Sequence, residues 1–167
     1  MAFPTPPAYA GSKSQTSQGT IIWVNFQPSS PPGSGSSPSP PAWVPIGECL
    51  GAEFSDKAMF DKSTNLQSQA EEFLPVLPDP GKLTVDLNRV SSDAGQQALQ
   101  TSKANGLKLQ YAVVFPINLA EGQSEAGDQR QFWAYVEELH PVIKTNTRIT
   151  NKFTLQISGP ITDIAGS

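Results

Sequence analysis

The chain has 167 residues, near the roughly 150 expected of one domain, and 16% are charged against about 25% in an average soluble domain. Its formal net charge is −4 and its basic residues are scattered, which excludes tight binding of nucleic acid through phosphate contacts. The single cysteine, Cys49, excludes a disulfide framework and a cysteine metal cluster, and reads as a small apolar residue.

Residues 1–18, rich in Pro, Ser, Gln and Gly with no apolar period, read as an extended arm. The triplet Ala8-Tyr9-Ala10 looks like a cleavage site but lacks the basic and apolar regions of a secretory signal. No segment approaches the ~18 apolar residues of a membrane span, so the expectation is a soluble protein made in a cytoplasm, with no membrane partner. Residues 20–26, TIIWVNF, are β-branched and aromatic and predict a first strand. After Gln27 the stretch to residue 41 is only Pro, Ser and Gly, which cannot build a core and predicts a long exposed loop. Strands follow near 42–48 and 50–55. Residues 56–80 are a weakly patterned insert, with a short helix expected around Thr64 to Phe73.

From residue 82 the pattern is clearer. Leu83, Val85 and Leu87 alternate with Lys82, Thr84, Asp86 and Asn88, predicting a strand with one buried and one wet face. Asp93 is a helix N-cap with Gln96 three residues on, and Gly106 is a stop, so a short helix spans about 93–105. Its apolar side (Ala94, Ala98, Leu99, Ser102) is thin, and the expectation is that it covers the outer face of a sheet or meets a neighbouring chain. Further strands are expected at 107–116, 129–139 and 151–161. In the second of these, Phe132, Ala134 and Val136 oppose Trp133 and Tyr135, so both faces are apolar and the second belongs between layers or at a subunit contact. The fold class is mainly β, an antiparallel sandwich or barrel with one flanking helix, as a single domain over 19–167.

Few side chains are arranged for chemistry. The one histidine, His140, has no nucleophile elbow to serve, and with Glu137 and Glu138 it does not define a metal site. The adjacent pair Glu71 and Glu72 cannot face each other for acid–base work. Trp23, Trp43 and Trp133 read as core or interface, or else as a stacking platform for sugar or single-stranded nucleic acid. No enzyme and no cofactor are expected.

The order of the segments carries a resemblance. WVPIGECLGAEFS, a polar insert containing Ser63-Thr64, DPGKLTVDLNRVSSDAGQQALQTSKANG, QFWAYVEEL and the closing FTLQISGPI together resemble the tail tube (major tail) proteins of long-tailed, non-contractile bacteriophages. Asp93-Ala94-Gly95-Gln96-Gln97-Ala98-Leu99, after an alternating strand and an Asn, is the most recognisable piece, and Ser158-Gly159-Pro160-Ile161 the second. The resemblance implies a self-assembling virion protein whose hexameric rings stack into the conduit for genome delivery. The implied partners are further copies of itself, a tail-tip initiator, a tail terminator, a tape-measure protein in the lumen, and duplex DNA in transit. Assembly would take place in the host cytoplasm and the product would lie in the virion tail. A tube protein of a contractile or secretion-type injection device is the near variant, and a monomeric carbohydrate-binding or adhesive sandwich the alternative. If six subunits each give four strands to one barrel, the backbone diameter is about 48 Å, wide enough for duplex DNA inside the side chains. An acidic lumen would let DNA slide, and Glu48, Glu53, Asp56, Glu71 and Glu72 are candidates to line it. Trp133, Tyr135, Ala94, Ala98 and Leu99 are candidates for packing between subunits. The arm and the loops at 27–41 and 56–80 are expected at ring-to-ring contacts.

Overall fold

The computed structural model describes residues 18–26, 43–57, 60–62, 73–75, 79–145 and 147–167. The strands in chain order are β1 (Ile21–Asn25), β2 (Trp43–Ile46), β3 (Cys49–Lys57), β4 (Phe60–Lys62), β5 (Phe73–Pro75), β6 (Asp79–Asn88), β7 (Lys108–Val114), β8 (Gln129–Val142), β9 (Thr150–Ile157) and β10 (Thr162–Ile164). Among the described residues one α-helix, α1 (Ala94–Asn105), separates β6 from β7, and a 3-10 turn (Leu119–Glu121) precedes β8. The arm up to residue 17, the loop at 27–41 and the expected helix from Thr64 lie outside the described residues. Phe73, placed at the end of that helix by the sequence, begins β5, which pairs with β4 as a small separate hairpin.

The main sheet is antiparallel, in the order β2-β1-β7-β8-β9-β6-β3. Its organiser is β8, fourteen residues long. The first half of β8 pairs with β7 from Gln129 to Tyr135, and the second half pairs with β9 from Ala134 to Val142. A register shift between Val136 and Glu138 marks the point where the strand changes company, as a bulge does when it bends a strand from one layer to another. The sheet therefore folds over along β8 into two halves. One comprises β2, β1, β7 and early β8, with β10 added at Gln129–Gln131; the other comprises late β8, β9, β6 and β3.

Alternation puts one side of each strand between the halves. Ile22 and Val24, Leu109, Tyr111 and Val113, Phe132 and Ala134, Leu83, Val85 and Leu87, and Phe153, Leu155 and Ile157 form one buried cluster. Phe132 lies at its centre, stacked on Tyr111 with ring centres 6.0 Å apart and meeting Phe54 of β3 edge-on at 5.7 Å. Phe54 is thus the contact that brings the far strand of one half over the shared strand.

The helix forms where the sequence placed it. Asp93 Oδ1 accepts the Gln96 backbone N–H at 2.8 Å, and Gly106 ends the helix in the left-handed region at φ 60, a conformation glycine adopts without strain. Its position differs from expectation. Ala98 and Leu99 belong to the same cluster as Ile22, Val24 and Tyr111, so the helix closes the open side of the core between β2 and β8 rather than covering an outer face. Gly95 permits this: a Cβ there would sit 2.5 Å from the Pro45 carbonyl oxygen and 2.7 Å from Ile46 Cα. Buried Gln96 is fully engaged. Its Oε1 accepts from the Val90 N–H at 3.0 Å, and its Nε2 donates to the carbonyls of Asn88 at 2.9 Å and Gly47 at 3.4 Å. One amide thus ties the helix start to the end of β6 and to the corner between β2 and β3.

Candidate functional site

Because the core takes one side of every strand, each half of the sheet has an outer face, and the two differ in chemistry. On the half built from late β8, β9, β6 and β3, the pairing aligns Glu138, Thr154, Thr84 and Glu53 in one row and His140, Lys152, Asp86 and Gly51 in another. A third row holds Tyr135, Gln156, Lys82 and Ser55. Apart from Tyr135 this face is polar. Lys82 Nζ reaches Glu137 at 2.7 Å. Glu53, Asp86, Glu137 and Glu138 supply four carboxylates against the two ammonium groups of Lys82 and Lys152, so the face has an acidic excess.

The other outer face lies on β2, β1, β7 and early β8. Trp43, Asn25, Gln110 and Trp133 form one row and Pro45, Trp23, Ala112, Gln131 and Thr162 the next. Neither row has a charged side chain. Trp133 is 45% exposed and Tyr135, at the junction of the two faces, 42%. The three tryptophans, distant in sequence, thus share one surface. The second apolar side of β8 stays open in the single chain, which sends its first side, Phe132 and Ala134, into the core.

The acidic candidates divide. Glu53 stands on the polar face. Glu48, at the β2–β3 corner with φ 59, accepts from Asn88 Nδ2 at 3.0 Å and so marks the rim of that face. Asp56 is turned elsewhere: it acts on Arg130, whose guanidinium lies over the Phe54 ring at 5.2 Å and clasps Asp163 of β10 at 2.6 Å and 3.0 Å. That clasp, first by hydrogen bond and then by charge, holds the Asp163 carboxyl below the usual range. Glu71 and Glu72 lie outside the described residues. Asp86, Glu137 and Glu138 were missed as candidates, though Asp86 sits in the wet half of the alternation over 82–89 that the sequence displays.

The packing candidates divide too. Trp133 and Tyr135 are open to a neighbour, and Ala94 is exposed at the start of the helix. Ala98 and Leu99, at 2% and 0% exposure, are enclosed by the subunit's own core and have no surface left to offer another chain. Among the described residues no group of three His, Cys, Asp or Glu side chains could hold a metal ion. His140 stands exposed on the polar face beside Lys152. Burial, with Asp93 adding to it, pushes the Cys49 thiol up to about 11.

Both edges of the polar half are open to pairing. Among the described residues β3 has no strand on its side away from β6, and β8 beyond Tyr135 has none on its side away from β9. Each edge carries a guard against indiscriminate pairing. Strand β3 has two register shifts, and Lys103 of the helix donates to the Leu139 carbonyl at 3.3 Å.

Comparison with solved structures identifies this architecture. The tail of an empty gene transfer agent particle, refined with C6 symmetry, aligns at TM-score 0.65 and 15% identity over 91% of this chain and 100% of that one. The chain has the tail-tube fold. The SPP1 tail tube aligns at TM-score 0.64 and 16% identity over 92% of this chain and 80% of its own. A chain of the six-fold symmetrised anti-feeding prophage baseplate aligns at 0.63 and 10% identity, over 99% of this chain and 98% of its own. No protein-family model and no curated protein matches the sequence.

Proposed function

We propose that this protein is a structural tail tube subunit of the long-tailed, non-contractile kind. Six copies close into a ring, and rings stack into a hollow tube through which duplex DNA passes. The observation that carries the reading is the four-stranded polar half, β3-β6-β9-β8, in a chain with the tail-tube fold. It has a sealed core behind it, a polar face in front and an open edge on each side. Joining six such halves edge to edge removes the open edges and gives the barrel of about 48 Å that four strands per subunit require.

The polar face then lines the lumen. Glu53, Asp86, Glu137 and Glu138 give it an acidic excess that repels phosphate, so passing DNA gains nothing by releasing counterions and slides. The subunit's role is architectural and calls for no catalysis. Its partners are further copies of itself, an initiator at the tip, a terminator at the far end and a tape-measure protein in the lumen. It belongs to the virion tail, assembled in the host cytoplasm. Heterologous contacts that do not close along the axis give the filament.

Negative-stain electron microscopy of the purified protein over a concentration series, with light scattering alongside, tests this. Tubes or six-fold rings are expected. A protein that stays monomeric at every concentration, and also when mixed with tail-tip complexes, would sink the reading.

A further inference from the structure

The turn that follows β8 is basic and the loop that precedes it is acidic, and each carries exposed aliphatic side chains. We infer that the two meet between copies of this chain: the turn of one subunit docks on the loop of a subunit in the next ring. This rests on the tube reading, which supplies the rings but not the residues that stack them.

The basic end is built on the β8–β9 hairpin. Its last pair is Val142 with Thr150, so Ile143 and Ile149 stand next in line and flank the turn. Ile143 is 71% exposed, and Ile149 is exposed too. Lys144 and Arg148 lie inside the turn. Arg89 joins them from the end of β6, where its backbone N–H donates to the Ile149 carbonyl at 3.0 Å. All three cations are exposed, and among the described residues none is ion-paired. The carboxylates of Glu48 and Asp93 near this rim are engaged, one by the Asn88 amide and the other by the helix N-terminus. The end keeps a basic excess.

The acidic end is the loop 115–128, between β7 and β8. It is fixed from within. The Phe115 N–H donates to the Asp128 carbonyl at 2.9 Å, and the N–H groups of Ser124, Glu125 and Ala126 converge on the Ser167 carbonyl at 2.8, 2.9 and 3.1 Å. Buried Gln123 accepts from the Asn118 N–H at 2.9 Å and donates to Asp128 Oδ1 at 2.7 Å. A Cβ at Gly127 would collide with the Phe115 carbonyl oxygen, so the path needs glycine. A loop held this firmly still turns Leu119 outward, 79% exposed, with Ile117, Glu121 and Glu125 exposed around it. Among the described residues neither glutamate is ion-paired, and Arg130 at the start of β8 is taken by Asp163. An aliphatic centre with a charged surround is how a protein interface is built, and here the two surrounds have opposite signs.

Within one chain these patches lie apart. The fourteen residues of β8 separate them, about 20 Å of strand on each side of the bulge at ~3.3 Å per residue. The loop is bonded to Ser167 and Gly166, the turn to Arg89. Two complementary patches at opposite ends of one strand make a head-to-tail contact, which a second copy satisfies and which propagates as a filament. The direction is axial. The open edges of the polar half join neighbours around a ring, whereas a barrel strand tilts by about 35–45° from the axis, so β8 ends at the rim that meets the next ring.

The test uses two full-length variants whose circular dichroism and melting match the parent. Lys144→Glu with Arg148→Glu makes the turn acidic like the loop; Glu121→Lys with Glu125→Lys makes the loop basic like the turn. Light scattering and electron microscopy follow tube growth, with tail-tip complexes present where the parent needs them. Each variant alone should grow about tenfold more slowly or worse, because like charges then face each other. An equal mixture of the two should recover growth, since every acidic end again finds a basic one. Growth of either variant alone at the parent's rate, or a mixture no faster than its components, overturns the inference. Rings that the parent forms and a variant loses would place these residues within one ring and overturn it too. A parent that forms no tubes under any condition sinks the tube reading and this contact with it; parent tubes without recovery in the mixture sink only this pairing of ends.

Discussion

On the first half of β8 the side chains turned away from the core are Gln129, Gln131, Trp133 and Tyr135; past the bulge they are Glu137, Glu138 and His140. One strand thus serves two surfaces, amide and aromatic at one end, charged and wet at the other, while its inward side is apolar from Phe132 to Leu139. The inward side answers to packing alone, and any chain with this core would need something like Phe132 there. The outward sides answer to what each half of the sheet meets. Acid and hydroxyl suit a water-filled passage, whereas exposed indole and amide suit contact with another surface.

The largest expected effect comes from removing what both surfaces share. Phe132 lies between Tyr111 and Phe54, so it holds β7 and β3 on the one strand that belongs to both halves. Phe132→Ala should cost about 3–5 kcal/mol, by lost burial and by the cavity left behind. Urea unfolding checks this, and loss of tube formation should accompany it. A cost under ~1 kcal/mol would mean that the halves are held together elsewhere.

Reversing charge on the wet face should have a smaller effect on the fold and a distinct one on DNA. Glu53→Lys with Glu138→Lys alters two exposed positions of one row and should change stability by no more than about 0.5 kcal/mol. Tubes of this variant should retain duplex DNA in co-sedimentation at about 50 mM salt and release it by about 200 mM, the signature of counterion release. The same two lysines at Gln110 and Gln131 should leave DNA retention at the parent level. If both pairs act alike, the two faces are not distinguished as the lumen and its opposite.

How much of this could be read in the sequence follows the same division. Inward sides were legible: Leu83, Val85 and Leu87 alternate, and the caps Asp93 and Gly106 bracket the helix to within a residue. The side of the sheet that the helix covers was not. Its thin apolar stripe fits an outer face as well as a gap between layers, and the deciding contact, Gly95 against Pro45, is long-range. The acidic face was half legible, since alternation exposes Asp86, but the bulge after Val136 puts Glu138 in line with Glu53 through pairings that no local pattern reports. Strand β10 escaped notice because three exposed residues, held by the Arg130–Asp163 clasp, carry no apolar period.

The smallest expected effect lies on the inward side and leaves both surfaces alone. Among the described residues the Tyr111 hydroxyl is buried without a hydrogen bond of good geometry, and Ser102 Oγ beside it donates instead to the Leu107 carbonyl at 2.9 Å. Burial, only partly offset by Ser102, pushes the Tyr111 phenol above the ordinary tyrosine range. A phenol whose pKa is raised on folding leaves stability untouched in neutral solution and lowers it as pH climbs past the unfolded value of about 10, because only the unfolded chain then readily gives up the proton. Cys49, at about 11 against the ordinary thiol value of 9.0, begins the same loss earlier. Tyr111→Phe removes the unpaired hydroxyl and keeps the ring stacked on Phe132, so it should stabilise the protein by about 1 kcal/mol near neutral pH. Above pH ~10 the advantage over the parent should widen, while the decline that Cys49 begins near pH 9 persists in both. Thermal melts from pH 7 to 11 read both effects. A gap that stays constant across that range would mean that the phenol finds a partner in solution, and tube formation unchanged in the variant would confine the effect to the core.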